Sequence, residues 1–146
     1  MFDGMGLMNF ITGGAAKVQI TLPTIAFPSL PIAIKINITA EDEFECKNVF
    51  LDIGGTETLQ FRPQGAQQDV SSTTSTFRQE FQVGPGFKLA KGESKEVTGV
   101  ITLPREAQPT YNGKHGKHTW AVQARLEAKG NDPDSGWKEL RIGANF

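Results

Sequence analysis

The sequence predicts an all-β chain folded as an antiparallel β-sandwich of about eight strands. Three observations lead there. The first is alternation at period two. Ile32, Ile34, Ile36 and Ile38 alternate with Ala33, Lys35, Asn37 and Thr39. Trp120, Val122, Ala124, Leu126 and Ala128 alternate with a set that includes Gln123, Arg125 and Glu127. Such a period turns one set to one face of a strand and the other set to the opposite face. The second is turn chemistry at short intervals, at Lys91-Gly92-Glu93 and at Gly130-Asn131-Asp132-Pro133-Asp134-Ser135-Gly136. Asn and Asp bond nearby backbone, Pro presets φ, and Gly admits positive φ. The third is the lack of any heptad or long amphipathic helix. Many short strands separated by Gly/Pro turns describe a sandwich.

The elements follow in order. A first strand over 17–22 carries Val18, Ile20 and Leu22 on one face. Pro23, Pro28 and Pro31 then bracket an irregular edge or crossover, because proline cannot donate to a ladder. The isoleucine strand, 32–39, is the clearest, since β-branched residues at period two fit a half-buried sheet. Strands over 49–53 and 58–61 are expected on either side of Gly54-Gly55, read as turn glycines. Residues 62–74, rich in Gln, Ser, Thr and Gly, read as a surface loop. A strand over 76–83 is expected to end at Gly84-Pro85-Gly86, and one over 96–103 at Pro104. The last quarter forms a hairpin, with a tryptophan near the start of each strand, Trp120 and Trp137, and a return strand over 137–142.

Length and composition bound the rest. The 146 residues suit one sandwich domain, assigned to 16–146, preceded by an apolar arm over 1–15. A net charge of -1 argues against a nucleic-acid partner, which usually requires a basic stripe. The single cysteine, Cys46, allows neither an internal disulfide nor a cysteine metal cluster, and reads as a small buried hydrophobe. No run approaches the ~20 apolar residues of a membrane helix. The N-terminus lacks a basic n-region and carries Asp3, so it is a poor secretory signal. The expected location is cytoplasmic.

Two stretches are candidates for function. In the arm, Phe2, Leu7, Met8, Phe10 and Ile11 either strap the sandwich, trail as a tail, or meet a partner or membrane surface. The other is the Asn112–His118 stretch, where Lys114, His115, Lys117 and His118 concentrate positive charge among glycines. Backbone N–H groups there can approach an anion while Lys and His add charge, and the plainer alternative is a solvated loop. No metal and no cofactor are assigned. Asp132-x-Asp134-x-Gly136 has half the look of a calcium loop, but the late bidentate acid is replaced by Gly143, so it reads as a turn. Glu41, Asp42, Glu43 and Glu45 read as a solvated acidic turn. There is no G-x-S-x-G elbow, and the histidines have no nucleophile beside them in sequence, so no enzyme is expected.

The order of several short motifs resembles a known family. Gly14-Ala15-Ala16-Lys17-Val18 resembles the opening of the bacterial sporulation-control proteins, which have an arrestin-like fold of immunoglobulin-like sandwiches. Gly92-Glu93-Ser94-Lys95-Glu96, a strand and then Leu103-Pro104 are similar to the middle of such a lobe. Trp120, Asp132-Pro133 and the strand over 137–142 are similar to its close. The resemblance spans most of 13–142 and implies a single-lobe version, where the family commonly has two. It does not extend to the phosphate sensor or buried charge network of animal arrestins. It implies a non-enzymatic adaptor or regulatory module that binds a protein partner through edges and loops. Homo-oligomerisation through the arm, as in a shell, virion or filament component, is the alternative.

Overall fold

The computed structural model describes residues 15–144 as two antiparallel sheets packed face to face. In chain order the strands are β1 (Ala16–Thr21), β2 (Ile32–Ala40), β3 (Phe44–Phe61), β4 (Val70–Leu89), β5 (Ser94–Ile101), β6 (Tyr111–Asn112), β7 (Gly116–Ala128) and β8 (Lys138–Leu140). The smaller sheet runs β1-β2-β5. The larger runs β4-β3-β7-β6, with β8 also paired to β7. The expected all-β antiparallel sandwich is therefore present.

The core follows from alternation. Every second residue of β2 is buried, from Ile32 to Ala40, and the residues between them are exposed. Ile36 lies opposite Ile20 of β1 and Val97 of β5. Across the sandwich, Val49, Leu51 and Ile53 of β3 and Val122, Ala124 and Leu126 of β7 supply the facing layer, all completely buried. Trp120 caps this layer at one end.

Four expectations need correction. Gly54 and Gly55 make no turn: β3 passes straight through them. Gly55 is a site of close approach, because a Cβ there would lie 2.9 Å from the Thr76 hydroxyl and 3.2 Å from the Trp120 ring. Gly84-Pro85-Gly86 does not end its strand either. β4 continues to Leu89 and absorbs the irregularity as a register shift opposite Val49 and Phe50. Pro85 is tolerated because β4 is an edge strand. The loop expected over 62–74 shrinks to 62–69, since Val70 to Thr74 already pair with β3.

The return strand is shorter than expected. Only Lys138 to Leu140 pair with β7, and Ile142 instead bridges Ala26 in parallel. That bridge ties the proline-rich connection of 23–31 to the end of the chain. The Asp-Pro segment is a turn: Asp132 Oδ1 accepts from the Ala128 N–H at 3.1 Å, and Asp134 Oδ1 accepts from the Gly136 N–H at 2.8 Å.

Candidate functional site

The larger sheet extends past the buried core at one end. There the close of β3, the start of β4 and the β6–β7 hairpin stand clear of the smaller sheet. Tyr111 and Asn112 pair with His118 and Lys117, and the Gly113 N–H donates to the Gly116 carbonyl at 2.7 Å. The Gln60 N–H donates to the His115 carbonyl at 2.8 Å, fixing the hairpin turn to β3.

The four residues expected to bind an anion do not sit together. Lys114, His115 and Lys117 are exposed. His118 is 0% exposed and points into the sandwich, because it lies one residue from Lys117 on a period-two strand. Both of its ring nitrogens are engaged. Nδ1 lies 3.1 Å from the Pro109 carbonyl, which can only accept, so Nδ1 carries the proton. Nε2 lies 2.6 Å from the Thr76 hydroxyl, which can donate or accept. The ring meets Trp120 edge-on at 5.4 Å and stacks near Tyr111 at 6.1 Å. The Trp120 indole N–H donates to the Gln108 carbonyl at 2.7 Å. His118 and Trp120 thus fasten the strap of residues 104–110 over the end of the core.

Two faces result at this end. Outward from the core, Thr58 pairs with Lys117, Asn112 pairs with Lys117, and Gln60 pairs with Ser71. Together with Lys114 these line a cleft of about 420 Å³. On the core-side face, Leu59, Phe61 and Val70 are 43%, 49% and 42% exposed. Phe61 lies directly opposite Val70, and Leu59 is two residues from Phe61, so the three share one surface. Glu57 lies on the same face and accepts from the Tyr111 hydroxyl at 2.8 Å. That bond raises the Tyr111 pKa above its ordinary value.

The sequence offered no direct sign of the apolar face or of the polar groups that join the lysines. Both depend on the β3–β4 and β3–β7 registers. The alternation of Thr58 and Gln60 with Leu59 and Phe61 was a usable signal, but only once the strand is known to run past the core. The arm residues Phe2, Leu7, Met8, Phe10 and Ile11 lie outside the described residues.

Other chemically notable groups are occupied within the fold. Arg125 donates to Asp52 at 3.1 Å, also engages Glu80, and lies 3.6 Å from Asp132. Those carboxylates, Asp52 above all, raise its pKa. Cys46 is buried, its Sγ donates to the Asn48 carbonyl at 3.0 Å, and burial pushes its thiol up to about 11. Among the described residues no group of three or more His, Cys, Asp or Glu is placed to hold a metal ion. No helix among them is long and apolar enough to cross a membrane.

No family model matches the chain, and no curated protein matches it. Its structure is similar to the crystal structure of Spo0M, a sporulation control protein from Bacillus subtilis, with a TM-score of 0.64 and 19% sequence identity. The match covers 90% of this chain and 51% of that one, so the chain spans about half the length of its structural neighbour. At that identity the likeness is one of fold: the chain has the arrestin-like sandwich of a sporulation control protein.

Proposed function

We propose that the chain is a non-enzymatic, arrestin-like adaptor or regulatory module of the sporulation-control kind, acting on a protein partner in the cytoplasm. The observation that carries this reading is the uncovered apolar face of Leu59, Phe61 and Val70 on the projecting end of the larger sheet. Large apolar side chains exposed singly are normal, but three on one surface mark an interaction site. The fold likeness to a sporulation control protein supports the regulatory class. The engagement of His118, Arg125 and Cys46 in packing and ion pairs supports a non-catalytic role.

The test is capture of partners by the intact chain and by a Leu59→Ser/Phe61→Ser variant, followed by mass spectrometry. Apolar anchors at the centre of an interface commonly contribute 2 kcal/mol or more, roughly a thirty-fold loss of affinity. Proteins retained by the wild type and absent from the variant are the expected result. An identical set from both would overturn the reading.

A second reading, self-assembly as a structural protein, is favoured by β4. It is the outer strand of the larger sheet, and its 70–77 stretch carries no charge to discourage edge pairing. Light scattering separates the two. A monodisperse monomer eliminates self-assembly, through the β4 edge or through the arm.

A further inference from the structure

The cleft on the outward face of the projecting sheet end is positively charged. Among the described residues, Lys114 and Lys117 line it and no carboxylate does. Neither lysine forms an ion pair among the described residues. Other clefts differ in this respect. The one beside Arg125 contains Asp52 and Glu80, and the one beside Lys88 contains Glu43 and Glu45.

The remaining lining groups are neutral and able to donate. Thr58 and Ser71 supply hydroxyls, and Gln60 and Asn112 supply amides. The frame is fixed in advance by the Gly113–Gly116 and Gln60–His115 backbone hydrogen bonds. A ligand therefore need not order the turn in order to bind, which lowers the cost of binding. Lysine ammoniums are point charges with no planar fork, so they do not select a flat carboxylate. Two such charges ringed by neutral donors match an anion with several acceptor oxygens in a tetrahedral arrangement.

We propose that this cleft binds a compact tetrahedral oxyanion, a phosphate or phosphate monoester, through Lys114 and Lys117 with the neutral donors of β3, β4 and β6 around it. The ligand class follows from the lining alone and does not depend on the apolar face opposite. Of the four residues expected from sequence, His118 takes no part, because its ring faces the core.

The experiment is a titration with inorganic phosphate at fixed ionic strength, followed by backbone amide NMR, on the intact chain. A Lys114→Ala/Lys117→Ala variant is compared with a Lys91→Ala/Lys129→Ala control that removes the same charge elsewhere. Saturable shifts at Gly113, Gly116 and Lys117 are expected. The affinity should fall about five-fold for each cleft lysine removed, as for unit charges ~4 Å apart in water. The control should bind like the wild type. A parallel titration with a phosphoserine tripeptide, with its unphosphorylated form as the blank, distinguishes a bound ester from the free ion; saturable shifts with inorganic phosphate or with the phosphopeptide, and none with the unphosphorylated peptide, support the site. Absence of saturable shifts with both, or equal weakening in the control variant, would overturn the proposal. Since the apolar face is untouched in these variants, the outcome is independent of the partner-capture result.

Discussion

Replacing His118 with alanine should destabilise the fold rather than remove a surface ligand. The magnitude can be worked from its contacts. Two hydrogen bonds are lost, to the Pro109 carbonyl and the Thr76 hydroxyl, at about 1 kcal/mol net each. The vacated ring space beside Trp120 adds roughly 1–3 kcal/mol, at the low end of aromatic-to-alanine costs because imidazole is small. The sum is about 3–5 kcal/mol, a large fraction of the ~5–15 kcal/mol that holds a typical domain. For a chain of this size about 3–5 °C accompanies each kcal/mol, so Tm should fall by roughly 10–20 °C.

Urea and thermal unfolding read by tryptophan fluorescence measure this directly. Thr76→Ala should cost about 1 kcal/mol alone, and much less in the His118→Ala background, since its partner is already gone. A His118→Ala protein that melts with the wild type while phosphate binding collapses would refute the reasoning. That outcome would place the ring in the outward cleft.

Two further predictions rest on the core. Gly99→Ala should cost about 1–3 kcal/mol by overpacking, because a Cβ there would lie 2.7 Å from Leu51 Cδ1 and 3.0 Å from Val83 Cβ; unaltered urea denaturation would show that the sheets can part at this point. The Cys46 thiol, with its pKa raised to about 11 mainly by burial, should resist a thiol reagent at neutral pH and react fully in urea. Because the folded value exceeds the ordinary 9.0, the stability from the neutral thiol is complete below pH 9 and is lost as pH rises through 11; a Cys46→Ala variant should lack this alkaline contribution in pH-resolved unfolding.

The fold was legible where burial is one-sided. The isoleucines of β2 and the alternating residues of β7 declare their faces because each strand has one buried and one exposed side. Glycine was misread where it answers a tertiary need. Gly55 lies under Trp120 in mid-strand, and nothing local to Gly54-Gly55 distinguishes that from a turn. The cationic stretch reads in sequence as one loop holding all four residues. Tyr111 and Asn112 pair back onto β7, so strand parity already applies by His118 and divides it from Lys117. Thr58, Gln60 and Ser71 come from elements whose register no local pattern specifies.

The same parity makes the projecting end a two-sided element, and a bulge sets which residues occupy each side. Between Gly55 and Thr56 the β3–β4 register shifts: Gly55 opposes Phe77 while Thr56 opposes Ser75. Thr76 is thus an extra residue on β4, and an extra residue exchanges the faces of everything beyond it. Past the bulge Val70 is opposite Phe61 on the apolar side, and Ser71 is opposite Gln60 on the cleft side. In a straight ladder these assignments would be reversed, with a valine in the polar cleft and a serine beside Phe61. The Thr76 hydroxyl is bonded to the buried His118 Nε2, and a Cβ on Gly55 would collide with it. The buried histidine and the mid-strand glycine therefore act on both candidate surfaces without belonging to either, by holding the one irregularity that sorts apolar residues from polar ones.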